Sequence, residues 1–390
     1  MSASHRPRPF RLIVTGGGTG GHTYPAATAV RTFRARLAEA GETLDVLWSG
    51  TPDGLEARVA PAEGIEFATV ATGKVRRSSN LLKMASPANL RDMARVPLGV
   101  AQARKIVSDF RPDVVLATGG YVAVPAGLAA RMCRRPLVLH EQTVRLGLAN
   151  RKLAGSATRI AVSSESTLPL LPDAVRKTAV VTGNPVRPEL LAGHPRKAFE
   201  SLGLEGFDRH LPTIYVTGGA QGAQQINNVV RESLPWLLER ANIVHQCGPT
   251  NVDALRASAA ELPPGLTTRY YLTGFVGPEL PDVLALADVV VSRSGAGTLA
   301  ELTALGKPAV FVPLASSAGG EQAHNAHHLA DAGAAVALVG DVTAGRLQTA
   351  LGPLLTDPAR RAAMAEAARA HGRPDAADKL VDVLLTAASG

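Results

Sequence analysis

The same short pattern occurs twice in this chain of 390 residues, roughly one domain length apart. Residues 11–17 are RLIVTGG, and residues 213–219 are TIYVTGG. In both segments an apolar strand candidate ends in V-T-G-G, and a helical pattern follows. A strand, a glycine-rich turn and a helix together are typical of the start of a Rossmann-like domain. The repeat therefore predicts two similar domains.

Further strand candidates alternate with helical patterns in both halves. They are short and rich in Val, Ile and Leu, as expected for parallel strands with helices on both faces. The candidates are 44–50, 113–118, 136–141, 159–164, 179–183, 243–248, 270–275, 288–293 and 308–313. We predict an α/β protein with Rossmann-like domains over 1–183 and 184–369, connected near 183–191. A helix over about 370–390 is expected to return to the first domain.

Composition limits the possible partners. The formal net charge of +8 favours an anionic partner, either a phosphate-bearing ligand or an acidic membrane surface. Nucleic acid is disfavoured, because aromatic residues are only 4% and no block of Lys and Arg occurs. No apolar run approaches the roughly 18 residues that span a bilayer. The two cysteines, Cys133 and Cys247, are far apart, which predicts reduced thiols in a cytoplasmic protein.

The first glycine-rich turn has the spacing of a dinucleotide fingerprint. Gly16, Gly18 and Gly21 match G-x-G-x-x-G, which alone is weak support for NAD. NAD binding also requires an acidic residue at the end of the second strand, for the ribose. Asp45 comes at the start of that strand and Asp53 beyond it. An NAD-dependent oxidoreductase is therefore the least favoured function.

His22 follows the last of these glycines. Ligands of parallel sheets bind outside the carboxyl ends of the strands, so this imidazole is placed where chemistry is expected. We interpret it as a general base or as a partner of a developing oxyanion. The alternative is a histidine that only caps the helix.

A second anion-binding turn is predicted within SRSGAGTLAEL, residues 292–302. Ser294, Gly295, Ala296 and Gly297 come directly before or at the start of a helix, where free N–H groups attract an anion. Glu301 lies about one turn further, within reach of ribose hydroxyls. The alternative is a surface glutamate that the helix dipole favours.

The segment 319–333 is rich in amide and imidazole side chains. Gln322 and Asn325 suit the recognition of hydroxyl and amide groups. His324, His327 and His328 have poor spacing for zinc and no accompanying acidic motif, so we predict no metal site. The chain also lacks a D-x-D motif.

Together these motifs are similar to those of the MurG family. The resemblance covers nearly the whole chain and rests on ordered segments: GGTGGHTYPAA, GGYVAVPAGLAA, HEQ, GLANRKLA, GNPVR, GGAQGAQQIN, DVVVSRSGAGTLAEL, PAVFVP and EQAHNAHHLADAGAA. It implies a GT-B fold, with two Rossmann-like domains facing across a cleft. It also implies an inverting, metal-independent transfer of GlcNAc from UDP-GlcNAc to the lipid-linked acceptor lipid I. The family works in peptidoglycan synthesis, and hence in cell shape and division, on the inner face of the cytoplasmic membrane.

The resemblance also implies roles for individual residues. His22 and Tyr121 would lie on the acceptor side, and the first glycine-rich turn would face the acceptor diphosphate. Arg187 would contact donor phosphate, Val276 would offer backbone groups to uracil, and Glu301 would bind ribose. Gln322, with Asn325 nearby, would recognise the sugar. The remaining acceptor-side candidates are Thr19, Gly20, Gly21, Glu141 and Thr143, and the remaining donor-side candidates are Gly219, Ala220, Gln221, Gly222, Ser294, Gly295 and Ala296.

One basic and apolar segment, 73–87, is a candidate for the membrane or the acceptor diphosphate. Lys74, Arg76 and Arg77 supply the charge, and the leucines and methionine that follow would enter the membrane interface. The alternative is a solvated loop that leads into an ordinary amphipathic helix.

Six positions depart from the usual pattern of the family: Thr143, Arg145, Ala220, Gly319, Gly320 and Glu321. They lie around both substrates in the sequence motifs. They leave open a related enzyme that glycosylates another lipid-linked or secondary-metabolite acceptor. A GT-B protein that binds nucleotide sugar without turnover is a further alternative. The joint presence of His22, Glu301 and Gln322 argues against the latter.

Overall fold

The computed structural model describes residues 8–73 and 87–390, and side chains are described from residue 95 onward in the second range except at Ala318. The chain divides into two compact units. The first contains residues up to Val186 together with Pro374–Gly390, and the second is Arg187–Arg373. The predicted boundaries were 183 and 369, so the observed divisions come a few residues later. The first division falls within the predicted connection 183–191.

Among the described residues, seven parallel strands form the sheet of the first unit, in the order β3-β2-β1-β4-β5-β6-β7. The strands are β1 Phe10–Thr15, β2 Leu44–Gly50, β3 Glu66–Thr69, β4 Val114–Ala117, β5 Leu137–Glu141, β6 Arg159–Val162 and β7 Ala179–Val181. The α-helices are α1 Gly20–Glu39, α2 Glu56–Ala62, α3 Pro87–Phe110, α4 Ala123–Met132, α5 Leu148–Leu153 and α6 Asp173–Arg176. The short strand β3 was not predicted.

Six parallel strands form the sheet described for the second unit, in the order β10-β9-β8-β11-β12-β13. The strands are β8 Thr213–Thr217, β9 Asn242–Gln246, β10 Tyr270–Thr273, β11 Val289–Ser292, β12 Ala309–Phe311 and β13 Val336–Ala337. The α-helices are α7 Pro195–Leu202, α8 Gln224–Leu238, α9 Val252–Ala259, α10 Pro264–Thr267, α11 Leu280–Leu286, α12 Ala296–Leu305, α13 Glu321–Asp331, α14 Ala344–Thr356 and α15 Pro358–His371. Both sheets have the Rossmann strand order.

Helix α1 begins earlier than the sequence pattern suggested. The prediction placed its start near Tyr24 or Pro25, whereas the helix begins at Gly20, with Thr19 in an extended conformation before it. Pro25 has no N–H for the Gly21 carbonyl, and the helix nevertheless continues through it. The earlier start places His22 in the first turn.

The last helix, α16 Ala376–Ser389, belongs to the first unit. Its apolar side packs in the same core as β1 and α1, where Leu384, Val30, Phe33 and Trp48 are fully buried. The core of the first unit is thus built from both ends of the chain. No helix in the described ranges is long and apolar enough to span a membrane.

We predict that Leu384→Ala lowers the free energy of unfolding of the first unit by about 2–5 kcal/mol, because it leaves a cavity beside α1. The chain has two tryptophans, and Trp48 and Trp236 lie in different units. Trp48 fluorescence in a Trp236→Phe background, followed through a urea titration, measures this change. The control is Thr386→Ala, an exposed position on the same helix. An equal midpoint for Leu384→Ala and the control would contradict the packing of α16.

Candidate functional site

The strand order of the first sheet reverses between β1 and β4, which are neighbours. The loops that follow these two strands are 16–19 and 118–122, and both are rich in glycine. At such a point the loops diverge to opposite faces of the sheet and leave a crevice at the carboxyl ends. Several polar side chains of the first unit lie at this crevice.

His22 lies in this crevice, on the first turn of α1. Its imidazole rests against the loop after β4: a Cβ built on Gly119 would lie 3.1 Å from Cε1 and Nδ1 of the ring. Gly119 also has a φ of +103°, a conformation that other residues rarely adopt. The Thr118 hydroxyl donates to the carbonyl of His22 at 2.9 Å. The glycine thereby leaves room for the imidazole, and the threonine holds the backbone of His22.

The predicted acceptor-side residues of the first turn surround this histidine. Tyr121 lies against Gly18, because a Cβ on that glycine would be 3.3 Å from the ring. Thr19 precedes the helix without a side-chain hydrogen bond to its backbone, and the first turn holds no acidic residue. Gly20 and Gly21 supply two of the first N–H groups of the helix. Such a helix start attracts an anion.

A buried carboxylate, Glu56, contacts the first glycine-rich loop. The Gly18 N–H donates to Glu56 Oε2 at 3.0 Å, and the Thr51 N–H and hydroxyl donate to Oε1 of the same carboxylate. Glu56 is fully buried. The Gly18 N–H is therefore engaged within the protein, whereas a dinucleotide loop offers such an N–H group to the pyrophosphate. The sequence had not singled out Glu56.

Glu141 and Thr143 organise the turn after β5. The buried Glu141 carboxylate accepts hydrogen bonds from the backbone N–H groups of Thr143 and Gly147 and from the Asn150 side chain. The Thr143 hydroxyl lies 2.8 Å from the same carboxylate. The predicted role of both residues was on the acceptor side. Their described contacts instead hold the loop that carries Gln142.

Gln142 connects three parts of this crevice. Its Nε2 donates to the Thr118 carbonyl at 2.8 Å and lies 3.0 Å from His140 Nδ1. Its Oε1 lies 3.0 Å from His22 Nδ1. His140 in turn lies 3.0 Å from the Gly183 carbonyl through Nε2. Sequence analysis did not select Gln142, although its place directly after a buried strand was a usable signal.

Lys74, Arg76 and Arg77, predicted to meet a membrane or the acceptor diphosphate, lie outside the described residues.

In the second unit the strand order reverses between the neighbours β8 and β11. The turn after β8 holds Gly219, Ala220, Gln221 and Gly222, of which the first three are exposed. Gly222 has a φ of +73°, and a Cβ there would lie 1.8 Å from the Cys247 carbonyl. Only glycine allows this close approach, so the loop is fixed against the end of β9.

Gln246 joins this turn to the residue predicted to contact uracil. Its Nε2 donates to the Gly219 carbonyl at 3.0 Å, and its Oε1 accepts the Val276 N–H at 3.0 Å. Val276 is itself buried. Its carbonyl is therefore the backbone group that it can offer to a base, since its N–H is donated within the protein. Gln246 is the last residue of the buried strand β9, whereas Gln142 directly follows β5, and neither residue was predicted.

The second predicted anion-binding turn begins α12. Gly295 precedes the helix without a side-chain cap, Ala296 is its first residue, and a Cβ on Gly295 would meet open space. Glu301 lies on the same helix and pairs with Arg187, whose Nε is 2.9 Å from Oε1. Both side chains are partly exposed. A phosphate-binding and a ribose-binding candidate thus lie together, and the second of them belongs to α12.

Ser294, Gln322 and Asn325 form a hydrogen-bonded cluster between the start of α12 and α13. The Ser294 hydroxyl donates to the Gln322 carbonyl at 2.7 Å, and Asn325 Nδ2 donates to the Ser294 carbonyl at 3.1 Å. Ser294 and Asn325 are buried, so their described role is to join the two segments. Gln322 is partly exposed, and its Oε1 accepts the Leu314 N–H. Its amide N–H groups are the donors that it can turn to a ligand.

The three histidines of this segment do not assemble a metal site. Within the part of the chain that the structure describes, no three His, Cys, Asp or Glu side chains are grouped so that they could hold a metal ion. His328 instead stacks edge-on against His371, with ring centroids 5.8 Å apart. Gly319 and Gly320 both have positive φ, and Glu321 begins α13 directly after them.

Comparison with known proteins identifies the family. Residues 12–162 match the glycosyltransferase family 28 N-terminal domain, and residues 213–380 match the family 28 C-terminal domain. A relative from Lacticaseibacillus casei, 34% identical over 97% of this chain and 98% of its own, is named UDP-N-acetylglucosamine–N-acetylmuramyl-(pentapeptide) pyrophosphoryl-undecaprenol N-acetylglucosamine transferase. A relative from Limosilactobacillus fermentum has the same name and is 36% identical over 96% of this chain and 98% of its own. The chain belongs to the MurG family.

A solved structure agrees with this assignment. The crystal structure of Acinetobacter baumannii MurG is 28% identical, covers 97% of this chain and 100% of its own, and has a TM-score of 0.74. The sequence-based predictions of a MurG-family glycosyltransferase and of the α/β GT-B fold class are therefore confirmed. The roles assigned to individual residues stay predictions.

The buried His140 gives the first unit a specific pH dependence. Burial, with a smaller contribution from the nearby His22, lowers the pKa of this imidazole to about 4. In the unfolded chain the pKa returns to about 6.5. Between these two pKa values the imidazole is protonated in the unfolded state and neutral in the folded state. The contribution of His140 to the free energy of unfolding is therefore fully present above the unfolded pKa and decreases as the pH falls below it.

We predict that the first unit loses about 2 kcal/mol of unfolding free energy through His140 between pH 7 and pH 5. The measurement is urea unfolding at both pH values, followed by Trp48 fluorescence in a Trp236→Phe background. His140→Gln removes the titrating group and should reduce this loss. The same loss with and without His140 would refute the assignment.

Proposed function

We propose that this protein transfers GlcNAc from UDP-GlcNAc to the muramyl sugar of undecaprenyl-pyrophosphate-linked lipid I, giving lipid II in peptidoglycan synthesis. The observation that carries the proposal is the identity of 34% over 97% of the chain to a transferase named for this donor and acceptor. The contacts of His22, Arg187 and Glu301 support it chemically.

The reaction needs a base beside the acceptor. A hydroxyl of the muramyl sugar attacks C1 of the donor GlcNAc, while the bond from C1 to the β-phosphate oxygen breaks and UDP leaves with the electron pair. The hydroxyl proton passes to His22, whose Nε2 is the ring nitrogen not engaged by Gln142. Attack on the face opposite the leaving group inverts the anomeric centre. The helix start at Thr19, Gly20 and Gly21 is suited to the acceptor diphosphate.

The second unit supplies the groups for the donor. UDP carries a developing negative charge as it leaves, and groups already in position stabilise it without reorganisation. Arg187 and the N-terminus of α12 at Gly295 provide positive charge and N–H donors. The Glu301 oxygen that Arg187 does not engage would accept from ribose hydroxyls. Val276 would accept the uracil N3–H through its carbonyl, and the Gln322 amide would donate to the sugar.

We also propose that the reaction uses no metal or other cofactor. The arginine and the helix N-terminus supply the charge stabilisation that a metal would give in other transferases. The lack of a D-x-D sequence in the chain supports this proposal.

The proposed location is the inner face of the cytoplasmic membrane, with the protein bound peripherally. A lipid-linked acceptor does not leave the bilayer, so the enzyme must meet it there. The net charge of +8 would attract the protein to anionic lipids, by about 1 kcal/mol for each basic residue near the surface. Nucleic acid is not a proposed partner.

A substrate panel tests the proposed reaction. UDP-GlcNAc, UDP-Glc and UDP-GalNAc are each incubated with a lipid I analogue, and released UDP and glycosylated product are measured. We expect product with UDP-GlcNAc and with the lipid I analogue. Turnover with another UDP-sugar only, or with none, would refute the proposed donor and acceptor.

We predict that His22→Ala lowers kcat by about 10²- to 10⁴-fold, the range of general acid–base catalysis. The Kd for UDP should stay close to that of the wild type, because the donor groups belong to the second unit. Steady-state kinetics and calorimetric titration with UDP measure the two quantities. The exposed His210 provides a matched control as His210→Ala. Undiminished kcat in His22→Ala would remove the base assignment.

We predict that Glu301→Ala raises the Kd for UDP by about 10- to 100-fold, the loss expected for hydrogen bonds to a charged group. Binding of inorganic pyrophosphate should not weaken, because Arg187 loses a competing carboxylate. Calorimetric titration with each ligand separates the two effects. Glu232→Ala, an exposed site on α8, controls for the change in net charge. Unchanged UDP affinity in Glu301→Ala would exclude the ribose contact.

A further inference from the structure

The hydrogen bonds around Gln142 determine which nitrogen of His22 carries the proton. Gln142 Nε2 lies 2.8 Å from the Thr118 carbonyl. A carbonyl accepts hydrogen bonds only, so the amide nitrogen of Gln142 must face it. The opposite orientation would place two carbonyl oxygens against each other in a buried site, at a large cost.

His140 strengthens the same orientation. Its Nε2 lies 3.0 Å from the Gly183 carbonyl, so this nitrogen is the donor of the neutral ring. Burial keeps that ring neutral by lowering its pKa to about 4. Its Nδ1 then bears a lone pair, and this lone pair faces Gln142 Nε2 at 3.0 Å. Two independent acceptors therefore point at the amide nitrogen.

With its nitrogen directed away, Gln142 presents its Oε1 to His22. The distance from Oε1 to His22 Nδ1 is 3.0 Å. An amide oxygen cannot donate, so the proton of this hydrogen bond must be on His22 Nδ1. The lone pair of the neutral ring is then on Nε2. The described residues give this nitrogen no hydrogen bond.

We propose that Gln142 is a positioning residue that holds neutral His22 as the Nδ1–H tautomer and so keeps Nε2 free to accept the proton of the acceptor hydroxyl. His140 and the Thr118 carbonyl set the orientation of Gln142. The Ser163 hydroxyl, which donates to the Gln142 carbonyl at 3.0 Å, secures its backbone. The catalytic consequence rests on the proposed function, whereas the tautomer itself does not.

A neutral amide in this position has a distinct chemical effect. When Nε2 takes the proton, the ring becomes positive, and an amide dipole stabilises it less than a carboxylate would. The gain from Gln142 is therefore mainly geometric, because it fixes both the tautomer and the ring plane. Loss of this contact should lower kcat and leave the affinity for the donor unchanged.

Two variants separate positioning from simple stability. Gln142→Met keeps the approximate side-chain volume and removes both the hydrogen-bond donor and the hydrogen-bond acceptor of the amide. Gln142→Glu keeps an oxygen that accepts from His22 Nδ1, and when protonated its single O–H can donate to the Thr118 carbonyl or to His140 Nδ1, but not to both. We expect Gln142→Met to lower kcat by about 10- to 100-fold, with the KM for UDP-GlcNAc unchanged. Gln142→Glu should recover most of that loss.

The matched control is Asn242→Leu. Asn242 is a buried amide that makes three hydrogen bonds in the second unit, to the backbone of Asp208 and Leu211. Its removal carries a comparable loss of buried hydrogen bonds without touching His22. A kcat for Gln142→Met equal to that of Asn242→Leu would overturn the proposal.

The tautomer can be observed directly. Solid-state NMR of protein labelled with ¹⁵N-histidine distinguishes protonated from unprotonated ring nitrogens, and a His22→Gln sample identifies the signals of His22 among the ten histidines. We expect a protonated Nδ1 and an unprotonated Nε2 in the wild type at neutral pH, and a shift toward the opposite tautomer in Gln142→Met. The opposite tautomer in the wild type would overturn the proposal.

The outcomes distinguish this proposal from the proposed function. If His22→Ala keeps its kcat, His22 is not the base, and the catalytic role of Gln142 is refuted with it. If His22→Ala loses kcat while Gln142→Met behaves as the control, the base assignment stands and the positioning role is refuted. If no UDP-sugar is turned over, the NMR measurement still decides the tautomer.

Discussion

Parallel strand pairing determines where this chain can carry out chemistry. Helices cover the faces of both described sheets, so the polar groups that a substrate needs can gather only at the carboxyl ends of the strands. In each unit the strand order reverses at one point, between β1 and β4 or between β8 and β11. His22 lies at the first of these points, and Gly219 and Ser294 flank the second.

Buried amide side chains connect the loops at these strand ends by hydrogen bonds. Gln142 follows β5 and Gln246 ends β9, and each connects two loops through one donor side and one acceptor side. An amide is suited to this because its two ends cannot be exchanged without placing acceptor against acceptor. The two units share one arrangement. In each, a glutamine contacts a predicted site residue, His22 or Val276, and a glycine-rich turn.

The sequence predicted more of the fold than of the site. Repeated V-T-G-G turns and apolar runs located most strands, because a buried parallel strand has to be continuously apolar. The pattern missed β3 and β13, which are short and only partly buried. It also could not separate Ser294, Glu141 and Asn325, which hold loops together, from Glu301 and Gln322, which are partly exposed. That distinction depends on which side of a loop a polar side chain faces, and no local pattern encodes it.

The return of α16 to the first unit has a consequence for how the protein is made. Residues 380–387 complete a core whose other members lie between Phe10 and Ala161. During synthesis the second unit, Arg187–Arg373, has all of its residues available before the first unit does. The first unit begins to be translated before the second, but its core is the last to be completed. Products that stop before α16 would contain every residue of the second unit, while the apolar side chains of α1 and β1 that pack in the core with α16 would lack that cover.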